Sequence, residues 1–87
     1  MNDVKYNGWT NYETWCVNLW FTNEQATYEF IKEMAADNDT YELAELLKAD
    51  VMENMPDLDA GLYSDILVAG LENVNWYEIA ESFKEEE

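Results

Sequence analysis

The sequence contains no histidine and no arginine, and its entire positive charge is four lysines. Without His, a Ser or Cys nucleophile lacks the base that would activate it, so triad chemistry is excluded. Four isolated lysines among twenty acidic residues cannot hold a phosphate backbone, which excludes direct nucleic-acid binding. Cys16 is the single cysteine, so no internal disulfide forms and a reducing compartment is expected. No basic residue lies near Cys16 in sequence to lower its pKa, and it is read as a small buried apolar residue without chemistry. Gly8, Gly61 and Gly70 are far apart and no GK[ST] follows any of them, so a phosphate-binding loop is absent. No run of eighteen apolar residues exists, and the opening residues lack the basic and apolar blocks of a signal peptide. These absences predict a soluble cytoplasmic protein that is not an enzyme and needs no cofactor.

What is present in excess is negative charge, a formal −16 on 87 residues. Such acidity alone would suggest a disordered tail, yet 48% of the residues are hydrophobic, with four Trp, six Tyr and three Phe. That combination predicts one folded domain, residues 1–87, with an acidic surface and a core built on large side chains.

Helix-start signals recur along the chain. Thr10 with Glu13, Thr22 with Gln25, Asp39 with Glu42 and Asn75 with Glu78 each match the capping box, in which two side chains satisfy each other's backbone donors. Apolar residues at three- and four-residue steps follow each box. Tyr12, Trp15, Cys16, Leu19 and Trp20 mark a helix over 11–21; Tyr28, Ile31, Met34 and Ala35 mark one over 23–36. Leu43, Ala44, Leu47, Val51 and Met55 mark the longest, over 41–54, ended by Pro56. Leu62 to Leu71 reads as a nearly all-apolar fourth helix in which Gly70 marks close approach to a neighbour. Asn75 opens a final helix that buries Trp76, Ile79, Ala80 and Phe83, with residues 85–87 frayed. The pattern is an all-α bundle of four to five short helices, and it leaves room for a short extended N-terminal arm over 4–9.

The carboxylates fall mainly outside these apolar stripes and repeat along them. Glu29, Glu33, Asp37, Asp39, Glu42, Glu45, Asp50 and Glu53 form the densest run, on the second and third helices. Like charges three or four residues apart on a helix cost a few tenths of a kcal/mol per pair, so a chain selected for stability alone would intersperse Lys. Bare acids at helical spacing on a folded scaffold present to a DNA-binding protein much of what duplex phosphates present. Metal readings fare worse. Asp57, Asp59 and Gly61 resemble the start of a calcium loop, but the glycine comes one residue early and Val68 stands where a bidentate Glu is required. Asp37, Asp39 and Glu42 could hold a divalent ion only loosely, and Asp39 is already engaged as a cap.

Aromatic residues crowd the segment Tyr6-Asn7-Gly8-Trp9-Thr10-Asn11-Tyr12-Glu13-Thr14-Trp15, with Trp20 and Phe21 close behind. Core packing is the first expectation for them. One helical face cannot bury them all, so Trp9 and Trp20 are the alternative interface anchors, and a homodimer would use the same surface. At this block the sequence resembles a family of small acidic proteins of phages and other mobile elements that open on a YNGWxNYETW motif. The resemblance runs through NGWTNYETWCVNLWFTNE, YELAELLK and GLYSDILVAGLENVNWYEIAESF. It implies no catalytic or binding residue, since the family is a domain of unknown function, but it implies a counter-defence role. The function expected is therefore inhibition of a host nucleic-acid-processing complex, of CRISPR or restriction type, by an acidic DNA mimic that occupies a basic channel. The partner would be a basic host protein or ribonucleoprotein. The competing expectation is a protein-interaction module that binds through the aromatic block, with its charge serving solubility; adaptation to high salt would leave a similar composition.

Overall fold

A computed structural model describes residues 6–56 and 58–85. Five helices follow one another, α1 (Tyr12–Asn23), α2 (Gln25–Asp37), α3 (Thr40–Glu53), α4 (Leu62–Glu72) and α5 (Trp76–Glu85). The fold is an all-α bundle, with no strand among the described residues. The expected segments 11–21, 23–36 and 41–54 differ from α1, α2 and α3 by one or two residues at each end.

The core is assembled around α5. Trp76, Ile79, Ala80 and Phe83 are all buried, at the three- and four-residue spacing that puts them on one face. Against this face lie Leu43, Ala44 and Leu47 of α3 and Ile31 and Ala35 of α2, with Tyr28, Met34 and Val51 packed at the margin. Tyr28 and Phe83 meet ring to ring at 5.8 Å. One lysine contributes to this packing in an unusual way. Lys84 of α5 donates from Nζ to the carbonyls of Ala35 at 2.7 Å and Asn38 at 2.8 Å, placing a cation on acceptors that the end of α2 leaves unsatisfied.

Only one of the four expected capping boxes is complete. Asp39 accepts from the Glu42 amide at 2.8 Å while Glu42 accepts from the Asp39 amide at 3.1 Å. Thr22 does not cap α2; its hydroxyl donates back to the Asn18 and Leu19 carbonyls within α1, which runs on past it. α1 is capped by Asn11 in place of Thr10. The Glu78 carboxylate, expected to close a box on Asn75, accepts instead from the Thr10 amide at 3.0 Å, 68 positions away.

These departures have a common origin, a polar knot that ties the start of α1 to the α4–α5 turn. Asn11 Oδ1 accepts from the Thr14 amide at 2.9 Å and from its hydroxyl at 2.6 Å, and Thr14 Oγ1 accepts from the Asn75 amide at 2.9 Å. Asn11 Nδ2 donates to the Asn73 carbonyl at 2.8 Å, and Asn75 Nδ2 to Thr10 Oγ1 at 3.2 Å. Thr14 is the one residue of α1 that is fully buried, although the apolar residues of that helix were the expected core. Its partners explain why a polar side chain can take that place.

Three further expectations are corrected. Residues 6–9 form no extended arm: Asn7 and Gly8 both have positive φ, 48° and 91°, and Tyr6 and Trp9 exchange backbone hydrogen bonds at 2.8 Å. That is the two-residue Asn-Gly hairpin turn; residues 4 and 5 lie outside the described residues. Gly70 marks no close approach, since a Cβ built there meets nothing within 4 Å. Cys16 is half-buried, because α4 stands off from it without burying a single residue of its own.

Replacing Thr14 by Val is expected to cost about 1–3 kcal/mol by leaving the Asn75 amide and Asn11 without their partner, whereas Thr14→Ser, which keeps the hydroxyl, should lose clearly less. Urea midpoints of the two variants provide the comparison. Lys84→Met, which keeps the stem but removes both charged hydrogen bonds, should likewise cost about 1–3 kcal/mol in the same assay.

Candidate functional site

The eight carboxylates expected to meet a partner are all exposed. Their placement follows from helix geometry, since two residues correspond to about 200° of rotation. Glu29 and Glu33 each lie two residues from buried Ile31, and Asp37 lies two residues from buried Ala35, so all three occupy the outward side of α2. On α3, Glu45 lies two residues from both Leu43 and Leu47, and Glu42 two residues from Ala44. Glu53 lies two residues beyond the half-buried Val51, whereas Asp50 sits directly beside it on the flank. The Asn38–Asp39 connection joins the two helices, so one short segment of chain carries the entire set.

The eight are not equivalent. Asp39 and Glu42 hold the capping box together. Glu29 accepts from Gln25 Nε2 at 2.6 Å, and Asp50 accepts from Asn54 Nδ2 at 3.3 Å. Glu33, Asp37, Glu45 and Glu53 make no hydrogen bond or ion pair among the described residues, and their oxygens are open to a partner. Sequence spacing alone does not separate the two groups, since each carboxylate fits the same periodic rule.

The two aromatic candidates separate as well. Trp9 is half-buried and packs against the core, while Trp20 is 70% exposed beside a hollow shared with Phe21, Asn23, Glu24 and Thr27. The hairpin turn folds Tyr6 back onto α1, where its ring lies 5.2 Å from that of Tyr12 and 4.9 Å from that of Trp15. Tyr12 is half-exposed. Its phenol titrates above its ordinary range, chiefly through the adjacent charge of Cys16 and the hydrogen bond with it, so it stays neutral at physiological pH.

No group of three or more Cys, Asp or Glu side chains among the described residues is arranged to hold a metal ion. No helix among them is long and apolar enough to cross a membrane.

The chain is thus a small acidic helical protein whose outward carboxylates lie on two adjoining helices. It belongs to a family of unknown function (DUF7249), which it matches over residues 2–87. No curated protein and no solved structure matches it.

The two groups of acids should respond differently to substitution. Asp39→Ala removes an N-cap and is expected to cost about 1 kcal/mol. Glu45→Lys places a cation within a turn of Glu42 and should be neutral or stabilising by a few tenths of a kcal/mol. Paired thermal or urea unfolding curves decide whether this division is correct.

Proposed function

We propose that this protein is a phage or mobile-element inhibitor of a host nucleic-acid-processing defence complex, of CRISPR or restriction type, acting as an acidic mimic of DNA. The observation that carries the proposal is that Glu33, Asp37, Glu45 and Glu53 are exposed and unengaged among the described residues, on helices anchored to a shared core. A basic channel built for phosphates gains most of its affinity from charge, and these carboxylates offer fixed charges without a chain that must first be ordered. Inhibition then requires occupancy only, with no bond made or broken. The partner is a basic protein or ribonucleoprotein, and the protein itself is expected to leave nucleic acid unbound, because sixteen net negative charges repel it. The charge would act inside the host cytoplasm, where such complexes work.

A second reading rests on Trp20, an aromatic side chain 70% exposed of the type that anchors protein interfaces. In that case the charge serves solubility and the protein docks through the aromatic N-terminal region.

Affinity capture from host lysate, repeated with raised salt and with competing duplex DNA, separates the two. The mimic should lose its partner steeply with salt and to DNA, and combined Glu33→Lys, Glu45→Lys and Glu53→Lys should weaken capture more than Trp20→Ala. Capture that ignores salt and DNA but disappears in Trp20→Ala would contradict mimicry and favour the second reading.

A further inference from the structure

α4 is the most apolar helix of the chain by composition, LYSDILVAGLE, yet it contributes no buried residue. Leu62, Tyr63 and Ile66 are 69%, 78% and 65% exposed, and Leu71 alone is packed against the core. Between α4 and α1 lies a groove of about 270 Å³ in which Cys16 and Val17 on one side face Leu67 and Leu71 on the other. Gly70 also lines it, and the direction its Cβ would take is open space. A second hollow adjoins it, sharing Glu13, Ile66 and Gly70 and adding Glu72. The border of this apolar groove is therefore acidic, and none of the described lysines lines either hollow.

We infer that this groove docks an apolar side chain carried on a positively charged amphipathic segment of a partner protein. Charge complementarity selects this occupant. A second copy of the chain would bring another sixteen net negative charges to the same place, and a two-fold interface would set each rim carboxylate near its own copy's. An apolar side chain flanked by Lys or Arg satisfies both parts of the surface: its hydrocarbon fills a groove that water now occupies, and its flanking cations meet Glu13 and Glu72. Helix-in-groove recognition of this kind reads apolar anchors at three- and four-residue spacing. The inference stands apart from the α2–α3 carboxylates, which lie on other helices.

The test uses a synthetic helical peptide with Leu and Phe at positions i, i+3, i+4 and i+7 and Lys at the flanking positions, together with a twin in which each Lys is Glu. The full chain is titrated and its amide chemical shifts are followed. The Lys-flanked peptide should shift Val17, Gly70 and Leu71, and the Glu-flanked twin should bind at least about tenfold more weakly. Gly70→Leu fills the groove from a position with room for the side chain. It should keep the thermal midpoint at or above that of the parent, because Leu is the better helix former, while weakening the Lys-flanked peptide at least about tenfold. Glu72→Lys changes only an exposed side chain and should narrow or reverse the preference between the twins, which keeps the test decisive if Gly70→Leu folds poorly. Equal binding of the two peptides, binding indifferent to both substitutions, the absence of shifts at the groove, or self-association that Gly70→Leu abolishes would each overturn the inference.

Discussion

Self-repulsion is the constraint on which the rest of this structure depends. Twenty acidic residues share four lysines, so most carboxylates have no cation to pair with however the chain folds. At a screening length of ~8 Å in physiological salt, neighbours on one helix still repel while opposite sides of so small a protein are largely shielded. Cohesion must therefore come from contacts that do not depend on ion pairs. The core around Phe83 and Ile79 supplies one part of it. The polar knot at Thr14 supplies another, joining residues some sixty positions apart through amides, a hydroxyl and neutral carboxamides, with the Glu78 carboxylate turned onto a backbone amide. Even Lys84 is used on backbone carbonyls.

The helices and the core residues of α2, α3 and α5 were legible in the sequence because each has one continuous apolar stripe, and periodicity reports such stripes directly. α1 was legible as a helix but not in its packing. Its aromatic residues surround it, so periodicity favoured Tyr12 and Trp20, which the fold leaves half or mostly exposed, over Thr14, which it buries. The knot was not legible at all. Asn11, Asn73 and Asn75 are ordinary turn and cap residues by local rules, and only the meeting of two distant segments decides which donor each satisfies. The Asn-Gly turn at residues 7 and 8 carried a recognisable hairpin signal, but the aromatic residues flanking it drew the reading toward an extended arm.

The candidate site shows the same division. That Glu29, Glu33, Glu42 and Glu45 face outward follows from helical period and was visible from spacing. Which carboxylates are committed to caps and side-chain amides and which are open depends on where helices start, a matter of one or two residues, and that is the least legible feature of a sequence. The apolar α1–α4 groove escaped detection for a different reason. An apolar stripe on α4 is indistinguishable in sequence from one that packs inward; only the gap beside Cys16 and Gly70 shows that it does not.

A scaffold held by neutral contacts leaves its charged face free for a partner and makes the charge a cost to folding. Urea unfolding measured between about 0.01 M and about 0.1 M NaCl, where the screening length shortens from ~30 Å to ~10 Å, tests this most directly, since urea itself carries no charge. Stability should rise steadily with salt as carboxylate repulsion is shielded and few ion pairs are there to lose. Stability that falls over the same range would mean that salt bridges hold the fold together, and would contradict the account.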